Sequence, residues 1–333
     1  MNDLPRMKNV AVVAGGYAEE YGVSLNSAQT VLANIDKTRF TPYLLLVEPD
    51  GWYVSYNSDK YPVNLNTFSA VIDNEEVRFN VAYNIIHGTP GEDGNIQGYF
   101  NMLGIPFTGC DVLCSALTFD KTLCKQILER YSRVKMADSL LLQRRHEKEE
   151  QAIIDAIGLP CFVKPNANGS SFGISKVSRQ DELAAALDQA FSATHGGGVV
   201  VEAFISGREL TCGVYTDGNQ PITLPLTEII AHNDFFDFGA KYEGESEEIT
   251  PARVDEKIAA HCQELSAFIY DKLHCKGICR IDYILKGNDL YFLELNTTPG
   301  FTNESLVPQQ IRATGSTLEN VLNLQIELAL KQH

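Results

Sequence analysis

Two neighbouring apolar segments near the carboxyl end, GICRIDYIL (277–285) and LYFLELN (290–296), carry charge where a core-filling strand would carry hydrocarbon. An unpaired carboxylate in an apolar setting costs several kcal/mol, so Glu294 and Asn296 need partners. Strand alternation puts Arg280 and Asp282 on one face of the first segment, and Glu294 and Asn296 on one face of the second. If the connecting loop is odd, such as Gly287 to Asp289, Asp282 faces Glu294 and Arg280 faces Asn296; an even loop turns Asp282 to the wrong face. Two carboxylates and an amide oxygen on one face make a hard-oxygen site suited to Mg2+, which takes one or two carboxylates plus substrate phosphates. The same spacing also allows an ion pair of Arg280 with Asp282 or Glu294.

The rest of the chain narrows the class. It has 333 residues, enough for two or three domains, and 27 Lys and Arg against 43 Asp and Glu, for a net charge of -16. That balance disfavours non-specific nucleic-acid or anionic-membrane binding, so any bound phosphate needs locally placed cations. No spanning apolar run is present, and the opening MNDLPRMKNVAVVAGG lacks a secretion pattern, so the expected location is cytoplasmic. The eight cysteines are dispersed through apolar segments and read as reduced core thiols. HCKGIC, His274 to Cys279, is the nearest thing to a metal cluster, and no second Cys/His pair stands at zinc-finger spacing.

Periodicity supplies the organisation. NVAVVAGG, TPYLLLVE and AYNIIHG are apolar runs suited to parallel strands covered on both faces, with VSLNSAQTVLANI as a helix between them. GNIQGYFNMLG and FDKTLCKQILERY are helical, and a new unit begins after Thr118. PCFVKPNANGSSFGISKV reads as a hairpin with a long tip, and DELAAALDQAFSA as an amphipathic helix with Asp181 as its N-cap. The last third is α+β with a largely antiparallel sheet, one clear helix at DEKIAAHCQELSAFIYDKL and a long segment from Thr227 to Pro251.

The phosphate-binding signals are few. GxxxxGK[ST] is absent, and AGGYAEEYG does not spell G-x-G-x-x-G. NANGSSFG, Asn166 to Gly173, follows Lys164 by two residues. Such a loop can wrap phosphates with backbone N–H groups while the lysine adds charge, or it can be a flexible hairpin tip.

HGTPGEDGNIQG, GIPFTGCDVLCSALTFDK, VKPNANGSSFG, VVVEAFISGREL, AKY, CRIDYI and LELNTTPGFTNESLVP stand in an order and spacing that resembles the D-alanine--D-alanine ligases of the ATP-grasp superfamily. The likeness runs from Gly15 to Pro308. It implies a three-domain ATP-grasp fold of α/β and α+β units: an N-terminal parallel-sheet substrate domain (1–120), a central α+β domain (121–202), and a C-terminal α+β catalytic domain (203–333) with a lid at 227–251. The implied reaction joins two D-alanines through a D-alanyl phosphate for peptidoglycan synthesis, with ATP and two Mg2+ ions, Mn2+ being able to replace them. A homodimer without nucleic-acid or membrane partners is implied as well.

The resemblance also implies site roles. Lys121, Lys164 and Lys241 contact ATP phosphates, Ser170 and Ser171 lie in the closing loop, and Glu202, Ala203, Ile205 and Glu209 hold the adenine and ribose. Asp282, Glu294 and Asn296 match the metal ligands. Glu20, supported by His87, binds the ammonium of the first D-alanine, and Ser170 with Tyr242 links the lid to Glu20. Arg280 and the Gly300 N–H stabilise the tetrahedral oxyanion, while Ser305 and the Leu306 backbone hold the second carboxylate. Tyr at 242 favours D-alanine over D-lactate as the second substrate. Glu304 departs from the usual His and adds a negative charge. Another ATP-grasp ligase would share only the nucleotide half of this set, and a catalytically silent regulator would have lost a metal ligand or Arg280.

Overall fold

The computed structural model describes residues 7–167, 173–194, 196–231 and 246–331. The first sheet is built from β1 (Lys8–Gly15), β2 (Phe40–Glu48), β3 (Gly51–Tyr56), β4 (Asp59–Asn64), β5 (Ser69–Ile72), β6 (Glu75–Arg78) and β7 (Val81–Asn84), in the order β6-β5-β4-β3-β2-β1-β7. Only β1 with β2 and β1 with β7 pair in parallel; β3 to β6 extend the sheet as an antiparallel meander that the apolar runs did not announce. Those strands are short and half exposed, so they lack continuous hydrophobic runs.

β1 is covered on both faces, as its sequence predicts. Val10, Val12 and Ala14 pack with helix α1 (Tyr21–Asn34) and the far C-terminal residues Val321, Leu322 and Ile326. Ala11 and Val13 face Ile96 and Phe100 of α2 (Asn95–Leu103). Gly15 ends the strand at φ +96, where an added Cβ would come within 2.6 Å of the Val47 carbonyl oxygen. That contact admits only glycine.

After α3 (Val112–Phe119) and α4 (Lys121–Leu128) come β8 (Lys135–Met136), β9 (Ser139–Leu142), α5 (Glu150–Ile157), β10 (Cys161–Pro165), β11 (Ser175–Val177), α6 (Gln180–Ser192) and β12 (Val199–Ala203). The second sheet, β11-β10-β12-β9, is antiparallel and buries its inner face on α5 and α6. Helix α6 starts two residues earlier than Asp181 suggests. Arg179 holds the N-cap position, and the Glu182 carboxylate accepts from the N–H groups of Ser178 (2.8 Å) and Arg179 (3.1 Å). Asp181 falls in the first turn, where its charge suits the helix dipole.

The third sheet holds β13 (Arg208–Thr216), β14 (Pro221–Thr223), β15 (Thr227–Ala231), β16 (Ser246–Ile249), β17 (Ile278–Lys286) and β18 (Asp289–Asn296), in the order β16-β15-β13-β17-β18-β8, with β14 on β13. Its core face packs on α7 (Glu256–Lys272) and on α4 through Cys124 and Leu128. Tyr283 is fully buried there and its hydroxyl meets Ser266 Oγ at 2.9 Å. Truncating such a side chain costs about 3–5 kcal/mol. The opposite face is charged and lies against α8 (Leu306–Ala313), whose Gln310 Oε1 accepts from Gly213 N–H at 2.8 Å. The final helix, α9 (Leu318–Lys331), returns to the first sheet.

Candidate active site

The pairing of β17 with β18 places Asp282 opposite Glu294 and Arg280 opposite Asn296, as expected, but by another route. Lys286 pairs with Asp289, so the turn has two residues, Gly287 and Asn288, an even loop. A bulge at Leu293 then restores the facing. The core-facing residues of β18 are Leu290, Phe292 and Leu295, so the alternation slips by one at Leu293 and brings Glu294 and Asn296 to the face of Arg280 and Asp282. The partner of Asp282 in this structure is Arg280: Nε donates to Oδ1 at 2.9 Å and Nη2 to Oδ2 at 2.8 Å. Asn296 Nδ2 donates to Asp282 Oδ2 at 3.1 Å. With its amide nitrogen committed to Asp282, Asn296 offers its oxygen to a cation. The donor set thus fits Mg2+ chemistry, two carboxylates and an amide oxygen on one face of a rigid hairpin.

The first sheet faces this cluster with a second group of buried polar residues. Glu20, at the N-terminal cap position of α1, is buried, and a Cβ at Gly88 would lie 3.1 Å from its Oε2. His87 Nδ1 meets the Thr298 carbonyl at 2.8 Å and its Nε2 meets Ser27 Oγ at 3.2 Å. Ser27 Oγ in turn accepts from Phe301 N–H at 3.0 Å. Both ring nitrogens therefore serve to hold the 297–301 turn. Burial lowers the His87 pKa, with Arg280 acting in the same direction and against Glu20 and the Thr298 carbonyl, so the ring is neutral.

Glu92, which the sequence reading did not single out, completes this network. Its carboxyl accepts from Gly88 N–H (2.8 Å) and Thr298 N–H (3.2 Å), tying the HGTPGED loop to the NTTPG turn. Burial, then the Glu20 and Glu294 charges, push its pKa up to about 8 despite those two hydrogen bonds. The available signal was its place in HGTPGED, directly after three turn-forming residues.

On the second sheet Lys164 pairs with Glu202, and a lysine the sequence reading passed over, Lys125 of α4, lies 2.6 Å from Glu202 Oε1. Burial alone would raise the Glu202 carboxyl; the two lysines outweigh it and hold the pKa at about 2. Lys125 is pushed down by burial in spite of Glu202. Lys121 opens α4, and its N–H donates to the Asn166 carbonyl at 3.1 Å, while Asn166 Oδ1 accepts from Thr122 N–H at 2.9 Å. The start of the NANGSSFG loop is thereby fixed to the helix that carries Lys121. Burial raises the Cys124 thiol to about 12, and Cys124 shares the third sheet's core with Phe292 and Leu295, which sets that helix beside β18. Ala203 closes β12, Ile205 lies in the connection to β13, and Glu209 on β13 shares the face of Thr211 opposite Asp282.

At the other end Ser305 caps α8 and Leu306 is its first residue. Ser305 Oγ accepts from Thr302 N–H at 3.0 Å, and a Cβ on Gly300 would lie 3.2 Å from that oxygen. The N–H groups of a helix's first turn lack internal partners and favour anions. Glu248 of β16, also unremarked in the sequence, is held by Gln309 Nε2 at 2.8 Å and is raised by burial. Ser170, Ser171, Lys241 and Tyr242 lie outside the described residues, as does most of the 227–251 segment; β15 and β16 form its two ends.

A D-Ala:D-Ser ligase, VanG, from Enterococcus faecalis superposes with a TM-score of 0.86 at 32% identity, over 97% of this chain and 100% of the other. A D-alanine--D-alanine ligase from Bacillus anthracis, solved with ATP, superposes with a TM-score of 0.76 at 27% identity over 98% of each chain. Fold and charged face together define a ligase of the ATP-grasp class. The family model described as D-ala D-ala ligase N-terminus matches residues 9–110, and D-ala D-ala ligase C-terminus matches 131–327. The D-alanine--D-alanine ligase of Azobacteroides pseudotrichonymphae is 48% identical over 325 residues, 96% of this chain and 99% of its own length. That of Phocaeicola vulgatus is 45% identical over 322 residues, 96% and 98% respectively. The chain belongs to the D-alanine--D-alanine ligase family.

Proposed function

We propose that the three polar groups above divide the work of one ATP-driven ligation. As a member of its family, the chain joins two D-alanines into D-alanyl-D-alanine for peptidoglycan synthesis and releases ADP and phosphate. The observation that carries the reading is the Arg280–Asp282–Asn296 cluster facing Glu294. On this reading the first sheet with its helices (1–120) receives the first D-alanine, the second sheet (121–202) and the third (203–333) grip the nucleotide, and residues 227–251 act as the lid.

Glu20 binds the ammonium of the first D-alanine, with neutral His87 shaping the turn beside it. The carboxylate of that D-alanine attacks the γ-phosphorus: an O–P bond forms, the bond to the β–γ bridging oxygen breaks, and ADP leaves. Lys121, Lys164 and Lys241 offset the negative charge of the phosphates, with the Ser170–Ser171 loop over them. Glu202 and Glu209, with the backbone at Ala203 and Ile205, hold the nucleoside. Lys164 would turn from Glu202 to phosphate as the nucleotide enters, leaving Lys125 to keep Glu202 paired.

Two Mg2+ ions held by Asp282, Glu294 and Asn296 would supply charge neutralisation along the triphosphate. Arg280, held on Asp282 beside Asn296, is the cation that would reach the acyl oxygen. The amine of the second D-alanine, placed by Ser305 and the Leu306 N–H, attacks the acyl carbon. Arg280 and the Gly300 N–H stabilise the oxyanion, a contribution worth about 3 kcal/mol per donor. The C–O bond to phosphate then breaks and the amine gives up its proton. Cytoplasmic location and a homodimer complete the proposal.

Nucleotide calorimetry tests the cation assignment. Asp282→Asn and Glu294→Gln should each weaken Mg2+-dependent ATP binding by about tenfold or more; wild-type affinity in both would remove these residues from the site.

A further inference from the structure

The sequence contains two C-x-x-x-C pairs, CDVLC (Cys110, Cys114) and CKGIC (Cys275, Cys279), and the fold brings them together. Cys110 Sγ lies 3.7 Å from Cys279 Sγ, and Cys114 Sγ lies 3.7 Å from Cys275 Sγ. The sulfurs of Cys110, Cys114 and Cys275 are all within 4.8 Å of one another. All four residues are buried, at 2%, 3%, 7% and 0% exposure in chain order. We propose that Cys110, Cys114, Cys275 and Cys279 form a tetrathiolate site for one structural Zn2+ ion.

The spacing suits a metal better than a disulfide. A tetrahedral ion with Zn–S bonds of about 2.3 Å sets its sulfurs about 3.8 Å apart, whereas a disulfide requires about 2.05 Å. Thiolate ligands in a tetrahedron select zinc over harder cations. Cys279 joins the three through Cys110, 3.7 Å away, and is the fourth ligand of the proposed tetrahedron. The surrounding backbone is shaped for close approach: Gly277 at φ +67 sits where an added Cβ would be 2.5 Å from Gly109 Cα. Lys276 N–H donates to Cys110 Sγ at 3.4 Å, the kind of bond that supports a thiolate. The Lys276 carbonyl accepts from the Cys110 thiol at 3.4 Å and the Cys279 thiol at 3.8 Å, and zinc loading would release the thiol protons to solvent.

His274, the remaining ligand-type residue of HCKGIC, is exposed and outside the cluster. Four protein donors leave no open position, so the site is structural. It ties the segment leaving the first sheet to the start of β17, one residue before Arg280, and fixes the strand that carries the oxyanion group.

Elemental analysis of the full chain purified under reducing conditions should find about one zinc per chain. Cys110→Ser with Cys279→Ser should lower this below about a tenth, while Cys161→Ser keeps it. Should the double variant fail to fold, Co2+ exchanged into the wild type should give the thiolate-to-metal charge-transfer and intense visible bands of a tetrahedral sulfur site. Wild-type protein without zinc but with all eight thiols alkylated after unfolding would overturn the proposal. So would a mass deficit showing disulfides within the cluster, or iron in place of zinc.

Discussion

Arg280 holds Asp282 with both arms of its fork, at 2.9 and 2.8 Å, on the strand face that also carries Glu294 and Asn296. A guanidinium in that position pairs with one proposed metal ligand and is the proposed oxyanion donor. Arg280→Ala should bind ATP and Mg2+ nearly as well as the wild type yet form dipeptide about 10²-fold or more slowly. Arg280→Lys, which cannot make the two-armed contact, should recover only part of the rate. Turnover and nucleotide calorimetry on the same preparations decide this, and an unchanged kcat in the alanine variant would reject the oxyanion role.

Glu202 is buried between Lys125 and Lys164, with a pKa near 2 against an ordinary 4.5. A depressed carboxyl stabilises the fold above its unfolded pKa and loses that contribution as pH falls from about 4.5 through 2. Lys125→Met removes one of the two cations. Unfolding in urea should show a loss of about 3 kcal/mol at pH 7, and the acid-induced loss should begin at higher pH than in the wild type. Equal stability at pH 7 with an unchanged acid onset would show that the pair is unimportant.

Glu92 has the opposite sign. Its pKa of about 8 lies above the ordinary 4.5, so its contribution is present at low pH and is lost as pH rises from about 4.5 through 8. Glu92→Gln gives up one acceptor for the Gly88 or Thr298 N–H and should melt lower than the wild type at pH 5. Lacking the titration, it should close that gap by pH 9. Thermal melts across the range read the difference directly, and parallel curves would contradict the assignment.

Ser305→Ala removes the oxygen that accepts from Thr302 N–H at the start of α8. The expected change is a rise of about fivefold in the KM for D-alanine at the second site, roughly 1 kcal/mol, with the KM for ATP unchanged. An equal rise in both constants would point to a general disturbance of the fold.

The elements that position the site were largely legible. Apolar runs ending in glycine marked β1, and the charged residues of β17 and β18 marked the candidate catalytic face. Parity of the turn did not settle the register, because an even turn and a one-residue bulge at Leu293 cancel; no residue type announces such a bulge. The meander β3 to β6 escaped because half-exposed strands carry no continuous hydrophobic signal. Lys125 and Glu248 were silent because a buried ion pair or a half-buried acid depends on partners far along the chain. The cysteines were the plainest case. Each C-x-x-x-C pair is unremarkable alone, and only the fold brings Cys114 against Cys275, 161 residues away.

On the proposed function this charged face couples ATP cleavage to the joining of two D-alanines. Phosphate release should be followed with ATP and Mg2+ alone and with D-alanine, L-alanine, D-lactate or D-serine added. D-alanine should stimulate it strongly with formation of D-alanyl-D-alanine, L-alanine should do little, and Arg280→Ala should lose the stimulation. Phosphate release that D-alanine leaves unchanged would contradict the proposed function.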